Sequence, residues 1–161
     1  MKRTLGAVFL AMLPAWAAAQ GVVMQRNISL PMAKSIAEAT LAACKAKNFN
    51  TAAAVVDRAG QVLVMMRDEQ ATAQVLEMAR RKAYTARMFR VPTSEFQKRT
   101  ADPTAGNADQ RDLADILALS GGMPIRVGEE TIGAVGSAGS NLEQDEACAA
   151  AGIAHVAHLL K

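Results

Sequence analysis

Aromatic side chains are scarce in this chain of 161 residues, which has one Trp, one Tyr and four Phe. Two of them lie near the N-terminus, and the rest are Phe49, Tyr84, Phe89 and Phe96. No basic segment is interleaved with aromatic residues, so nucleic-acid binding has little support. Alanines and scattered methionines are predicted to fill much of the core instead, as flexible thioether side chains readily do.

Long apolar runs are also missing beyond the first 19 residues. Lys2 and Arg3 precede an uncharged stretch over residues 5–16, and Ala17–Ala19 place small side chains before Gln20. This order is typical of a secretory signal peptide, and the run is shorter than the roughly 20 apolar residues of a membrane span. We therefore expect cleavage after residue 19, with 20–161 as one periplasmic or secreted domain without a membrane span.

Charge of one sign is not in excess once this leader is removed. The whole chain has 18 Lys and Arg against 15 Asp and Glu, and two of the basic residues are Lys2 and Arg3. The high pI is therefore largely a property of the leader, which again argues against a nucleic-acid partner.

Only two cysteines are present, Cys44 and Cys148, and their separation excludes a CxxC redox motif. Export permits a disulfide. Such a bond requires the first and last helices to lie at bridging distance. Two buried thiols are the alternative, and the sequence leaves both open.

The patterning predicts an α+β (α/β) domain with about five mostly antiparallel strands. Helices are expected over 33–47, starting after Ser29 and Pro31, and over 72–89, 94–99 and 142–160. Thr93 is expected to cap the third helix. The clearest hairpin is predicted for strands 52–56 and 62–66, and a second hairpin for strands 123–127 and 131–135. A further strand is expected over 116–119 and a loop over 136–140.

Few residues carry obvious chemistry. Lys82 lies on an apolar helix face, where it could pair with a buried acid, Asp57 or Asp145, or bind an acidic ligand group. His155 and His158 share a helix face and could supply metal ligands, or form an exposed pair near the C-terminus. The glycine-spaced loop 133–139 before the last helix is a weak anion-binding signal. No Ser-His-Asp or Cys-His arrangement is visible, so no catalytic residue is assigned.

Three segments together resemble a known family. Residues 55–62 resemble its "VVD-x-x-G-x-hydrophobic" hairpin, and 81–86 its "x-K-A-x-T-A" helix. Residues 121–125, 132–136 and 144–149 resemble its "GG-x-P-I … IGAIG-x-SG … DE-x-x-A" ending. The chain is thereby similar to the GlcG/HbpS-type haem-binding (haem-degrading) family, which also occurs as the C-terminal domain of PduO-type corrinoid proteins. It departs from the pattern at Ala138 and in the segment 67–70.

The resemblance implies an antiparallel α/β domain that forms homo-oligomers, up to octamers, and binds haem as its small-molecule ligand. Lys82 or Arg87 would then meet the propionates, and Met78, Met88 and Phe89 would line the macrocycle. Iron could be held by His155, with His158, Met or Thr as alternatives. The candidate cofactor-binding residues are Lys82, Arg87, Phe89, Thr93, His155, His158 and Asp145.

Three functions follow as hypotheses. The first is an exported tetrapyrrole-binding protein for haem handling, degradation or redox sensing. The second is a periplasmic enzyme using Asp57, Lys82 and Asp145, if these side chains converge. The third is an oligomeric accessory protein of a small-metabolite pathway.

Overall fold

The computed structural model describes residues 21–161, so the predicted signal peptide lies outside the described residues. Over this range, no helix combines the length and the apolarity that a bilayer span would need.

Four helices form, called α1 (Leu30–Lys45), α2 (Gln74–Phe89), α3 (Thr93–Arg99) and α4 (Leu142–His155). The start of α1 follows the prediction, because the side chain of Ser29 accepts a hydrogen bond from the Met32 N–H and Pro31 stands in the first turn. The last helix is shorter than predicted. It ends at His155, and a separate 3₁₀ turn covers Ala157–Leu159.

The sheet has four antiparallel strands, called β1 (Ala52–Val56), β2 (Val62–Arg67), β3 (Gly122–Val127) and β4 (Glu130–Ala138), in the order β2-β1-β4-β3. The α+β class and both hairpins are confirmed, with four strands instead of about five. Residues 116–119 are not a strand. Side chains of α2 bind their backbone instead: Arg81 donates to the Ile116 carbonyl, and the Leu117 N–H donates to Thr85.

Helices cover both faces of the sheet. Ala53 and Val55 of β1 pack with α1 and α4, while Ala52 and Ala54 pack with α2. The predicted loop 136–140 is partly wrong, because β4 continues to Ala138. Gly136 lies against α2 so closely that a Cβ atom there would be 2.1 Å from a backbone carbonyl oxygen of that helix.

A disulfide joins α1 to α4 and decides between the two states that the sequence left open. Cys44 and Cys148 are bonded, with their Cα atoms 5.5 Å apart. The two helices also approach closely at Gly152, where a Cβ atom would be 2.1 Å from the Thr40 hydroxyl. The bond thus links the first and last helices of one face of the sheet.

Candidate ligand-binding site

A completely buried ion pair holds α2 to the start of α4. Lys82 Nζ donates to Asp145 Oδ2 at 2.7 Å and to the Ser137 carbonyl at 3.0 Å, and the two side chains are 0% and 2% exposed. Burial lowers the pKa of Lys82, and the charge of Asp145 opposes this shift. Of the two partners considered from the sequence, Asp145 is therefore the one that the fold supplies.

Asp57 lies elsewhere, in the turn between β1 and β2. Its carboxylate accepts hydrogen bonds from the backbone N–H groups of Ala59 at 2.8 Å and Gln61 at 2.9 Å. This is an Asx-type turn, a common role for Asp in such a position. The set of Asp57, Lys82 and Asp145 proposed for an enzyme therefore does not converge.

The glycine-spaced loop before α4 already holds an anion, the carboxylate of Asp145. Its second oxygen accepts from the Ser140 N–H at 3.0 Å and from the Ser140 hydroxyl at 2.6 Å. Asn141 caps the helix by accepting from the Gln144 N–H at 2.8 Å. A carboxylate in the first turn also interacts favourably with the helix dipole.

Two glycines allow the strand β3 to begin against this pair. At Gly121 a Cβ atom would be 2.8 Å from Lys82 Nζ, and at Gly122 it would be 2.3 Å from the Lys82 carbonyl oxygen. Thr93 does not cap α3 as predicted, since Pro92 holds the cap position. Its hydroxyl instead accepts from the Gly122 N–H at 2.8 Å. Lys82, Thr93 and Asp145 thus meet around the Gly121–Gly122 step.

A large cavity of about 820 Å³ opens beside this network, between α3 and α4. Glu146 lines it and accepts hydrogen bonds from the hydroxyls of Ser94 at 2.9 Å and Ser120 at 2.6 Å. The other lining residues are mostly small or apolar: Gln97, Lys98, Ala101, Met123, Leu142, Glu143, Ala147 and Ala150. The sequence did not reveal this cavity, because its walls come from segments far apart in the chain.

The two histidines have different surroundings, although both are exposed. His155 is the last residue of α4 and lines a groove of about 530 Å³ between α1 and α4, with Ser35, Glu38, Ala39, Ala42 and Ala151. His158 lies in the following 3₁₀ turn and is not among the residues that line this groove. Within residues 21–161, no three His, Cys, Asp or Glu side chains come together as a metal site.

The other candidate residues on α2 are not brought together. The ring of Phe89 packs on that of Phe96, with centroids 4.2 Å apart and Arg99 over both. Met88 lies near Gly60 in the turn between β1 and β2. Met78 lies nearer the start of α2 and packs against buried alanines such as Ala52, Ala54 and Ala79. Arg87 lines two small cavities that it shares with Arg58.

The protein is a single α+β domain, in which a four-stranded antiparallel sheet lies between helices. It has a preformed pocket beside a buried lysine–carboxylate pair. The chain belongs to the family of haem-degrading HbpS-like proteins, whose model matches residues 28–154. This confirms the resemblance seen in the sequence.

Relatives and solved structures agree with this assignment. An uncharacterised 15.0 kDa protein of Citrobacter freundii, from the dhaT-dhaS intergenic region, is 32% identical over 74% of this chain and 84% of its own. The crystal structure of HbpS has a TM-score of 0.80 and 33% identity, covering 87% of this chain and 97% of that one. The PduOC–haem complex has a TM-score of 0.72 at 23% identity, covering 80% and 94%, and so shows a shared fold.

Proposed function

We propose that this protein is an exported haem-binding protein with a role in haem handling. Membership of the HbpS-like family and the similarity to HbpS support haem as the ligand class. The structural observation that carries the proposal is the exposed imidazole of His155 at the edge of the groove between α1 and α4.

The groove fits a flat macrocycle in its chemistry. Ala39, Ala42 and Ala151 line it with methyl groups, so a ring can approach the helix surfaces closely. Imidazole is a common axial ligand of haem iron. His155 would hold the iron, which supplies redox and ligand-binding chemistry when haem is bound, and the alanines would exclude water from one face of the ring.

The larger cavity between α3 and α4 suits haem less well. No histidine is among its lining residues, so it offers the iron no imidazole ligand. Lys82, a candidate for the propionates, is completely buried and already paired with Asp145. The groove beside His155 is therefore the better haem site of the two.

Export is part of the same proposal. The leader over residues 1–19 supports it, and the Cys44–Cys148 disulfide fits a periplasmic or secreted protein, because such bonds persist in oxidising compartments. We further propose a homo-oligomer, of up to eight copies. Val22, Val23 and Met24 are 81%, 76% and 91% exposed, and a second copy could cover this apolar segment.

Haemin titration followed by absorption spectroscopy tests the proposal, with two histidine variants as a matched pair. His155→Ala should abolish or shift the Soret band of the complex, while His158→Ala should leave it unchanged. A third variant, Met123→Ala, reports on the larger cavity. If haem binding is lost in Met123→Ala and retained in His155→Ala, the haem site is the larger cavity and not the groove. The absence of a Soret shift at micromolar haemin would refute haem binding.

A further inference from the structure

Three arginines converge at the end of the sheet where both hairpin turns meet the C-terminus of α2. Arg58 comes from the β1–β2 turn, Arg87 from the last turn of α2, and Arg90 from the left-handed residue that ends this helix. They line a cavity of about 250 Å³ with Glu129, Glu130 and Thr131. Arg58 and Arg87 also line a second cavity, of about 290 Å³, with Gln25, Asn27 and Ala59. We call these three side chains the arginine cluster.

The positive charge of the cluster is only partly balanced. Arg58 forms an ion pair with Glu130. Over residues 21–161, the side chains of Arg87 and Arg90 form no ion pair. The guanidinium of Arg126 donates to the Arg90 carbonyl, which brings a fourth positive charge to the same end of the sheet.

Arg87 also has an unused donor. Its Nε atom is buried and has no hydrogen-bond partner in the described part of the chain, although buried polar groups are nearly always paired. Burial, followed by the charges of Arg58 and Arg90, lowers the pKa of Arg87, while Asp57 opposes the shift. A bound anion would satisfy the donor and reduce the repulsion among the guanidinium groups.

We propose that the arginine cluster binds a small oxyanion with at least two negative charges, of the phosphate or polycarboxylate class. The planar guanidinium group donates two parallel hydrogen bonds to such oxygens, which an ammonium group does not. The two cavities are small, and all of their lining residues except Ala59 are polar or charged, whereas a tetrapyrrole needs apolar walls. The proposed anion site is therefore separate from the groove beside His155, and the inference does not depend on haem binding.

Isothermal titration of the exported protein with phosphate, pyrophosphate and citrate, at constant ionic strength, tests the site. We expect one saturable site, weakened about tenfold or more in both Arg87→Gln and Arg90→Gln, because each removes charge-assisted hydrogen bonds. Arg87→Lys keeps the positive charge but loses the planar guanidinium group, so it should weaken anion binding less than Arg87→Gln does. Lys47→Gln removes one positive charge from the exposed turn after α1, outside the cavities described above, and should bind as the wild type does.

Three results would overturn the proposal. If none of the three anions binds saturably, the site does not exist. An equal loss of affinity in Lys47→Gln would mean that the anions are held by general charge attraction. Loss of haemin affinity in Arg87→Gln, without binding of the free anions, assigns the cluster to haem propionates instead. Circular dichroism checks that each variant is folded. If Arg87→Gln is unfolded, the result for Arg90→Gln tests the proposal, because the Arg90 side chain is exposed and its replacement should not disturb the fold.

Discussion

Replacing Asp145 with Asn leaves the ammonium group of Lys82 buried without its carboxylate partner. The amide oxygen can still accept from the N–H and hydroxyl of Ser140, but the amide nitrogen then faces the ammonium group of Lys82. The change therefore removes both the negative charge and the acceptor that Lys82 uses. Both side chains of the pair are almost fully buried, and solvent cannot take over the interaction. We expect a loss of about 3–5 kcal/mol in the free energy of unfolding, as for other buried pairs with one partner removed.

Urea unfolding followed by circular dichroism, with the disulfide intact, measures this loss. Lys82→Met and the double variant complete the cycle, and we expect the two single losses to exceed the double loss by about 1–3 kcal/mol. A thermal midpoint lowered by roughly 10 °C in Asp145→Asn is the simpler readout.

The exposed pair Lys34–Glu38 serves as the control for this cycle. Its side chains are 66% and 52% exposed and its N–O distance is 3.9 Å, so Glu38→Gln should change stability by no more than about 1 kcal/mol. If Asp145→Asn costs no more than the control, or if the losses at Lys82 and Asp145 simply add, the buried pair does not hold the site together.

Three further predictions concern the same framework. Gly122→Ala would place Cβ 2.3 Å from a backbone oxygen, so it should lower stability by about 2 kcal/mol or more; wild-type unfolding would disprove the close approach. Cys44→Ser removes a bond with a sequence separation of 104 and should lose about 2–5 kcal/mol, measured by urea unfolding; dithiothreitol should then have no further effect, unlike in the wild type. Because burial lowers the pKa of Lys82, the unfolded chain binds more protons between that lowered pKa and the ordinary value of 10.5. Wild-type stability should therefore rise with pH through that window relative to Lys82→Met, and parallel pH profiles would contradict the shift.

Features that depend on neighbours in sequence were predictable. Ser29 and Pro31 mark the start of α1 through a cap and a preset backbone angle, and the turn at Asp57–Gly60 produces the first hairpin. All five residues of β1 are apolar, a pattern typical of a strand that is covered on both faces. Together with the family resemblance, these local signals were enough for the α+β class.

Features that depend on distant segments were decided by the tertiary structure. The sequence suggested either of two partners for Lys82, and only the packing of α2 against the start of α4 selects Asp145. A strand over 116–119 was locally plausible, but side chains of α2 bind its backbone and prevent a ladder. Local propensity is a weak determinant where tertiary hydrogen bonds compete with it.

The cavities show the same division most clearly. Arg58, Arg87 and Arg90 come from two chain segments, and no spacing in the sequence indicates that their guanidinium groups share a cavity. His155 and His158 look equivalent in sequence, yet the end of α4 places only the first beside the groove to α1. The sequence by itself determined the family and most of the helices and strands, because these follow from local patterns. The ion pair, the disulfide and the candidate sites required the fold, because each one joins residues that only packing brings within reach.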